Sequence, residues 1–141
     1  MGSRALLAAA AVIALPVGAY IWAKAEHYPV EAVDRAQAFI TLLEAGQLDK
    51  AQDLALRNEY VGRTPAEFAA LMQRQLCTVD RVEWTAPPQT NGNRLRRWWN
   101  DAPVEMPEVD VEFEGACLLK VSLRYGDDGQ WRVFNMQRHA G

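Results

Sequence analysis

The residues of this chain best placed for chemistry are two cysteines, two histidines and a run of alternating carboxylates. Cys77 and Cys117 suit an oxidising compartment. Bridged, they close a loop of about 40 residues, which the chain-entropy model values at roughly 4 kcal/mol; two buried free thiols are the alternative. Neither cysteine lies in a C-x-x-C run or beside a histidine, so thiol catalysis has no local support. Glu108, Asp110, Glu112 and Glu114 occupy every second position. Hard-cation sites gather their oxygens within a loop, so these acids read as the solvated face of a strand, and neither a metal nor another cofactor is expected. His27 and His139 sit near the two ends, where exposed or interfacial roles suit them better than general-base roles. Tyr60, Asp80 and Tyr125 are the remaining groups that can line a pocket.

Arg94-Leu95-Arg96-Arg97-Trp98-Trp99 is the most distinctive run outside the N-terminus. Read as a strand, it puts Arg94, Arg96 and Trp98 on one face and Leu95, Arg97 and Trp99 on the other. One tryptophan is then core and its neighbour at least partly exposed. Trp and Arg are enriched at binding hot spots, which makes Arg94, Arg96, Trp98 and Trp99 a candidate partner surface. Arginines stacked on tryptophan and facing the acidic strand, or contact with anionic lipid headgroups, are the other readings of the same run.

The elements that position these groups follow from periodicity. After Pro29, a helical stripe of Val33, Ala36, Ile40 and Leu43, with Phe39 beside it, ends at Gly46. A short helix with Leu48, Ala51, Leu54 and Ala55 inward comes next. Thr64-Pro65-x-Glu67 then predicts a capping box opening a third helix, whose face is Phe68, Ala69, Met72 and Leu76. From Val79 the period becomes two. Strands are expected from Val79 to Trp84, Arg94 to Trp99, Glu108 to Glu114, Leu118 to Tyr125 and Trp131 to Arg138, the last pair joined at Gly126-Asp127-Asp128-Gly129. A hairpin centred near Ala116 sets Glu112 opposite Lys120 and Glu108 opposite Arg124. A slip of one residue would set those acids against Leu119 and Leu123.

Ala5 to Ala23 carries no charge and is bounded by Arg4 and Lys24. Nineteen helical residues span roughly 28 Å, close to the hydrocarbon thickness of a bilayer. Tyr20 and Trp22 lie at the end where interfacial aromatics belong. The segment reads as a single-pass inner-membrane anchor, N-terminus inside. The alternative is a cleaved signal peptide broken at Pro16, which leaves the rest secreted or periplasmic. All 18 acidic residues but only 13 of the 15 basic ones fall in residues 26 to 141, leaving that part at −5. A net acidic domain is not built for nucleic acid.

Helices followed by antiparallel strands predict an α+β domain. The expected layout is an anchor or signal segment at 1–25, then a domain at 26–141 with about three helices packed on a curved sheet of about five strands. The run Ala36-Gln37-Ala38-Phe39-Ile40-Thr41-Leu42-Leu43-Glu44-Ala45-Gly46-Gln47-Leu48-Asp49-Lys50-Ala51 resembles the opening helices of nuclear transport factor 2-like (cystatin-like roll) domains. Asp128-Gly129-Gln130-Trp131-Arg132-Val133 resembles their last hairpin. The resemblance covers roughly residues 31 to 138 and implies a roll with space between helices and sheet. The expected function is a membrane-anchored, periplasmic, non-catalytic domain that mediates protein–protein interaction with other envelope proteins, an architecture similar to assembly components of type IV secretion systems. The alternative is a small-molecule-binding or lyase/isomerase-type domain whose pocket uses Phe39, Met72, Tyr125 and Phe134.

Overall fold

A computed structural model describes residues 2–139, with side chains from residue 10 onward. Five helices and two antiparallel sheets are formed among the described residues: α1 (Gly2–Lys24), β1 (Glu26–His27), α2 (Val30–Glu44), α3 (Leu48–Asp53), α4 (Pro65–Gln75), β2 (Val79–Ala86), β3 (Gln89–Thr90), α5 (Asn91–Trp99), β4 (Glu108–Gly115), β5 (Leu118–Tyr125) and β6 (Trp131–His139). They fall into two compact units. Residues 1–28 with 88–105 make one, and residues 29–87 with 106–141 the other.

In the larger unit the sheet order is β2-β4-β5-β6. The apolar side chains of one sheet face (Val109, Val111, Phe113, Leu119, Val121, Leu123, Val133, Met136) are buried together with Ala32, Val33, Ala36, Phe39, Ile40 and Leu43 of α2 and Phe68 and Met72 of α4. Burial of these side chains is what holds the layers together. Helix α2 ends as its sequence requires. Gly46 takes φ +72°, its N–H donates to Leu43 O, and Gln47 N–H donates to Leu42 O, which satisfies two carbonyls the helix leaves open. Helix α4 opens with the expected capping box, Thr64 Oγ1 accepting from Glu67 N–H at 3.2 Å and Glu67 Oε2 accepting from Thr64 N–H at 3.4 Å.

The β4–β5 register is the one that charge pairing demands, Glu108 opposite Arg124 and Glu112 opposite Lys120. The contacts across the solvated face are more varied than a row of opposite charges. Glu108 holds Arg124 at 2.6 Å, Asp110 accepts from Ser122 Oγ at 2.6 Å and lies 3.7 Å from Lys120, Glu112 accepts from Trp84 Nε1 at 2.9 Å, and Glu114 pairs with Arg81. Residue Phe134 is the extra residue of a bulge where Ser122/Leu123 face Asn135/Val133. Its ring lies under the Arg124 guanidinium, 4.6 Å from the ring centre.

The expected strand from Arg94 to Trp99 is instead part of helix α5, and the main sheet has four strands rather than five. Thr90 decides the matter locally. Its Oγ1 accepts from Asn93 N–H at 3.2 Å, an N-cap that starts the helix. The helix stops at Asp101, in the left-handed region at φ +53°, with Asp101 N–H on Trp98 O and Ala102 N–H on Arg97 O. Short polar residues such as Asp tolerate that conformation.

Candidate functional site

The smaller unit gathers most of the residues marked out by sequence. Strands β1 and β3 pair with His27 opposite Gln89 and Glu26 opposite Thr90. Helix α5 begins directly after β3, so the cap residue Thr90 also closes the ladder. Asn91 then binds the end of α1. Its backbone N–H donates to Ala25 O at 3.0 Å and its side-chain Nδ2 to Trp22 O at 3.1 Å, covering carbonyls that a helix end leaves without partners. The next residue, Gly92, allows the approach. A side-chain carbon there would sit 3.0 Å from Ala23 O and 3.2 Å from Ala23 Cβ.

Within α5 the arginines turn toward the unit's own polar groups. Arg94 grips Glu105 with both terminal nitrogens, at 2.7 and 3.0 Å, and reaches Gln89 Oε1 at 3.4 Å. Arg97 donates through Nε to Pro103 O at 2.6 Å and through a terminal nitrogen to Glu105 O at 3.5 Å. These contacts fold the Pro103–Glu105 stretch back along one side of the helix. The Arg94 bond holds the Glu105 carboxyl below its ordinary 4.5, and so it stays ionised. Burial, with the positive charge of Arg94 next in weight, pushes the His27 imidazole below 6.5 against the opposing pull of Glu105. The Arg94–Glu105 pair, with Gln89 beside it, joins α5 to β3 and to the loop after α5.

Leu95, Trp98 and Trp99 stand three and four residues apart and share one sector of α5. Their exposures are 48, 61 and 78 %. The two indoles meet edge to face, ring centres 6.3 Å apart. Arg96 flanks the sector, exposed, with its guanidinium on Asn93 Oδ1. Both tryptophans are therefore exposed, whereas alternation on a strand requires one of them in the core. No residue of this helix is buried.

The four residues expected to share a pocket have different immediate neighbours. Phe39 and Met72 are fully buried core, with Phe39 edge-on to Phe68 at 6.1 Å. Tyr125 packs on Trp131, ring centres 5.0 Å apart, and Phe134 lies under Arg124. Tyr60 is exposed. Asp80 and His139 line an open groove at the end of the sheet with Glu114, Leu118 and Arg138. Cys77 and Cys117 form a disulfide, Cα atoms 6.3 Å apart, joining the residues after α4 to the β4–β5 turn. No group of His, Cys, Asp and Glu able to hold a metal ion occurs among the described residues.

Glu105 and Gln89 were not marked by sequence. Glu105 sits in a proline-flanked loop with no periodicity, and its partner lies eleven residues upstream. Thr90 carries a local signal that the strand reading passes over, since a Thr three residues before Asn93 and ahead of an i, i+3, i+4 apolar set is an N-cap signature. Comparison with protein-family models, with curated proteins and with solved structures finds no match to this chain.

Proposed function

We propose that this chain is a membrane-anchored, extracytoplasmic, non-catalytic domain that mediates protein–protein interaction in the cell envelope. Residues 5 to 23 cross the inner membrane once, with the N-terminus inside, and the remainder lies in the periplasm. The observation that carries this reading is the run of exposed apolar and aromatic side chains along α1: Val12, Ile13, Leu15, Val17, Tyr20, Ile21 and Trp22. A helix apolar on every side is at home in a bilayer or a protein core, and these side chains are exposed among the described residues. Among the described residues no helix is long and apolar enough to cross a membrane; the side chains of residues 5 to 9, which complete the proposed span, lie outside the described residues.

The Cys77–Cys117 disulfide suits an oxidising compartment. The acids of β4 are engaged by Arg124, Ser122, Trp84 and Arg81, which favours a structural role for them over a catalytic one. Helices α2 and α4 on one face of a four-stranded antiparallel sheet are compatible with a cystatin-like roll, which remains part of the proposal. In this reading the smaller unit carries the anchor. The test is a mild-detergent pull-down of the full chain at native expression, with partners identified by mass spectrometry and the membrane fraction probed by carbonate extraction. A stoichiometric set of envelope proteins with a carbonate-resistant bait is expected. A partnerless or carbonate-extracted protein overturns it.

A further inference from the structure

The cluster of polar bonds in the smaller unit has one consequence for its apolar groups: it prevents Leu95, Trp98 and Trp99 from folding inward. Arg94 and Arg97 are secured to Glu105 and Pro103, so the adjoining sector of α5 faces outward. An amphipathic helix in water does the opposite, burying its apolar stripe and exposing its cations. We propose that α5 is an interfacial helix whose Leu95, Trp98 and Trp99 insert among the lipid headgroups of the outer leaflet of the membrane that α1 crosses. This rests on the anchoring reading above.

Three observations select lipid as the occupant. First, α5 is tied to the membrane-exit end of α1. Asn91 bonds to Trp22 O and Ala25 O, and Gly92 packs on Ala23, so the first turn of α5 stands level with the end of α1. A nine-residue helix is roughly 13 Å long, so Trp99 lies no further than about that from the first turn. Second, the same unit carries other exposed aromatics. Tyr20 and Trp22 at the end of α1, Tyr28 just beyond it and Trp98 and Trp99 on α5 are all exposed, and such aromatics collect where hydrocarbon meets headgroup. Third, the apolar sector is flanked by exposed Arg96, with Lys24 exposed at the end of α1, a charge arrangement matched to lipid phosphates.

The experiment uses the full chain in vesicles of phosphatidylethanolamine and phosphatidylglycerol, with the native cysteines in their disulfide. A nitroxide is placed in turn at Trp99→Cys, at Leu95→Cys, at Ile13→Cys in the proposed span and at Lys50→Cys on the larger unit. Its collision rates with oxygen and with a water-soluble nickel chelate are compared. The expected result is an oxygen-to-nickel ratio several-fold higher at residues 95 and 99 than at residue 50, and lower than at residue 13. A ratio at residues 95 and 99 equal to that at residue 50, with residue 13 embedded, overturns the interfacial helix and leaves the anchor standing. Labels at 95 and 99 shielded from both reagents place a protein surface over the stripe and likewise overturn it. Nickel access at residue 13 overturns the anchor, and the interfacial helix with it.

Discussion

Strand β6 of the larger unit and helix α5 of the smaller one treat the same residue types in opposite ways. In the larger unit Trp131 is 4 % exposed, packed on Tyr125, while the arginines of the same sheet lie on the solvated face. In the smaller unit Trp98 and Trp99 are mostly exposed, and Arg94 is the half-buried partner of a carboxylate. The difference shows that amphipathicity alone does not say which face of an element turns inward. Polar bonds of good geometry settled it in α5, because a bidentate arginine–carboxylate pair is directional and apolar contact is not.

Trp131 is the buried tryptophan of that contrast. Trp131→Ala removes a buried indole and is expected to cost about 3–5 kcal/mol in urea unfolding followed by circular dichroism. Replacing Cys77 and Cys117 together by serine should lower stability by about 2–4 kcal/mol in the same assay, with the loss coming from a freer unfolded chain. In the smaller unit, Glu105→Gln leaves the Arg94 guanidinium with a neutral partner. Since both side chains keep some solvent, a loss of about 1–2 kcal/mol is expected. It should appear as faster hydrogen exchange in residues 91 to 102 and not in β5.

Acidification tests the same cluster by another route. The folded imidazole of His27 sits below 6.5, so the unfolded chain takes up the proton first. Stability of the smaller unit therefore declines as pH falls through 6.5, until the folded group also protonates. Glu105 is depressed from 4.5, so its contribution is intact above that value and is lost as pH falls through the folded pKa. His27→Gln should abolish the first decline and keep the second, read as hydrogen exchange corrected for its intrinsic pH dependence. The smallest effect is reserved for the residues that look most important. Trp98→Ser with Trp99→Ser should change unfolding stability by less than about 0.5 kcal/mol, because both indoles are already exposed. A loss of several kcal/mol there would mean that the stripe serves folding and the contrast between the units would collapse.

Much of the larger unit was legible because its signals are local and redundant. The capping box at Thr64 and Glu67, the glycine stop at Gly46 and the buried stripe of α2 each involve residues within a few positions of one another. The β4–β5 register is long-range, but charge and hydrophobicity agree on it over six paired positions. The run Arg94 to Trp99 is different. Six residues satisfy a period of two and a period of 3.6 alike, and the strand reading leaned on two aromatics while Arg and Leu favour helix.

By itself, then, the sequence determined the α+β order of elements, the cap of α4 and the stop of α2, and the paired faces of the hairpin. These follow from local sterics and from alternation between apolar and charged positions, which need only neighbours to be read. Only the tertiary structure decided that residues 91 to 99 form a helix tied to the end of α1, that Glu105 takes Arg94, and that both tryptophans of α5 face out. Those outcomes depend on Asn91 reaching the carbonyls of Trp22 and Ala25, a glycine that permits close approach at residue 92 and a carboxylate eleven residues further along the chain. Each is a contact between segments whose spacing carries no period, so nothing short of the folded chain brings them together.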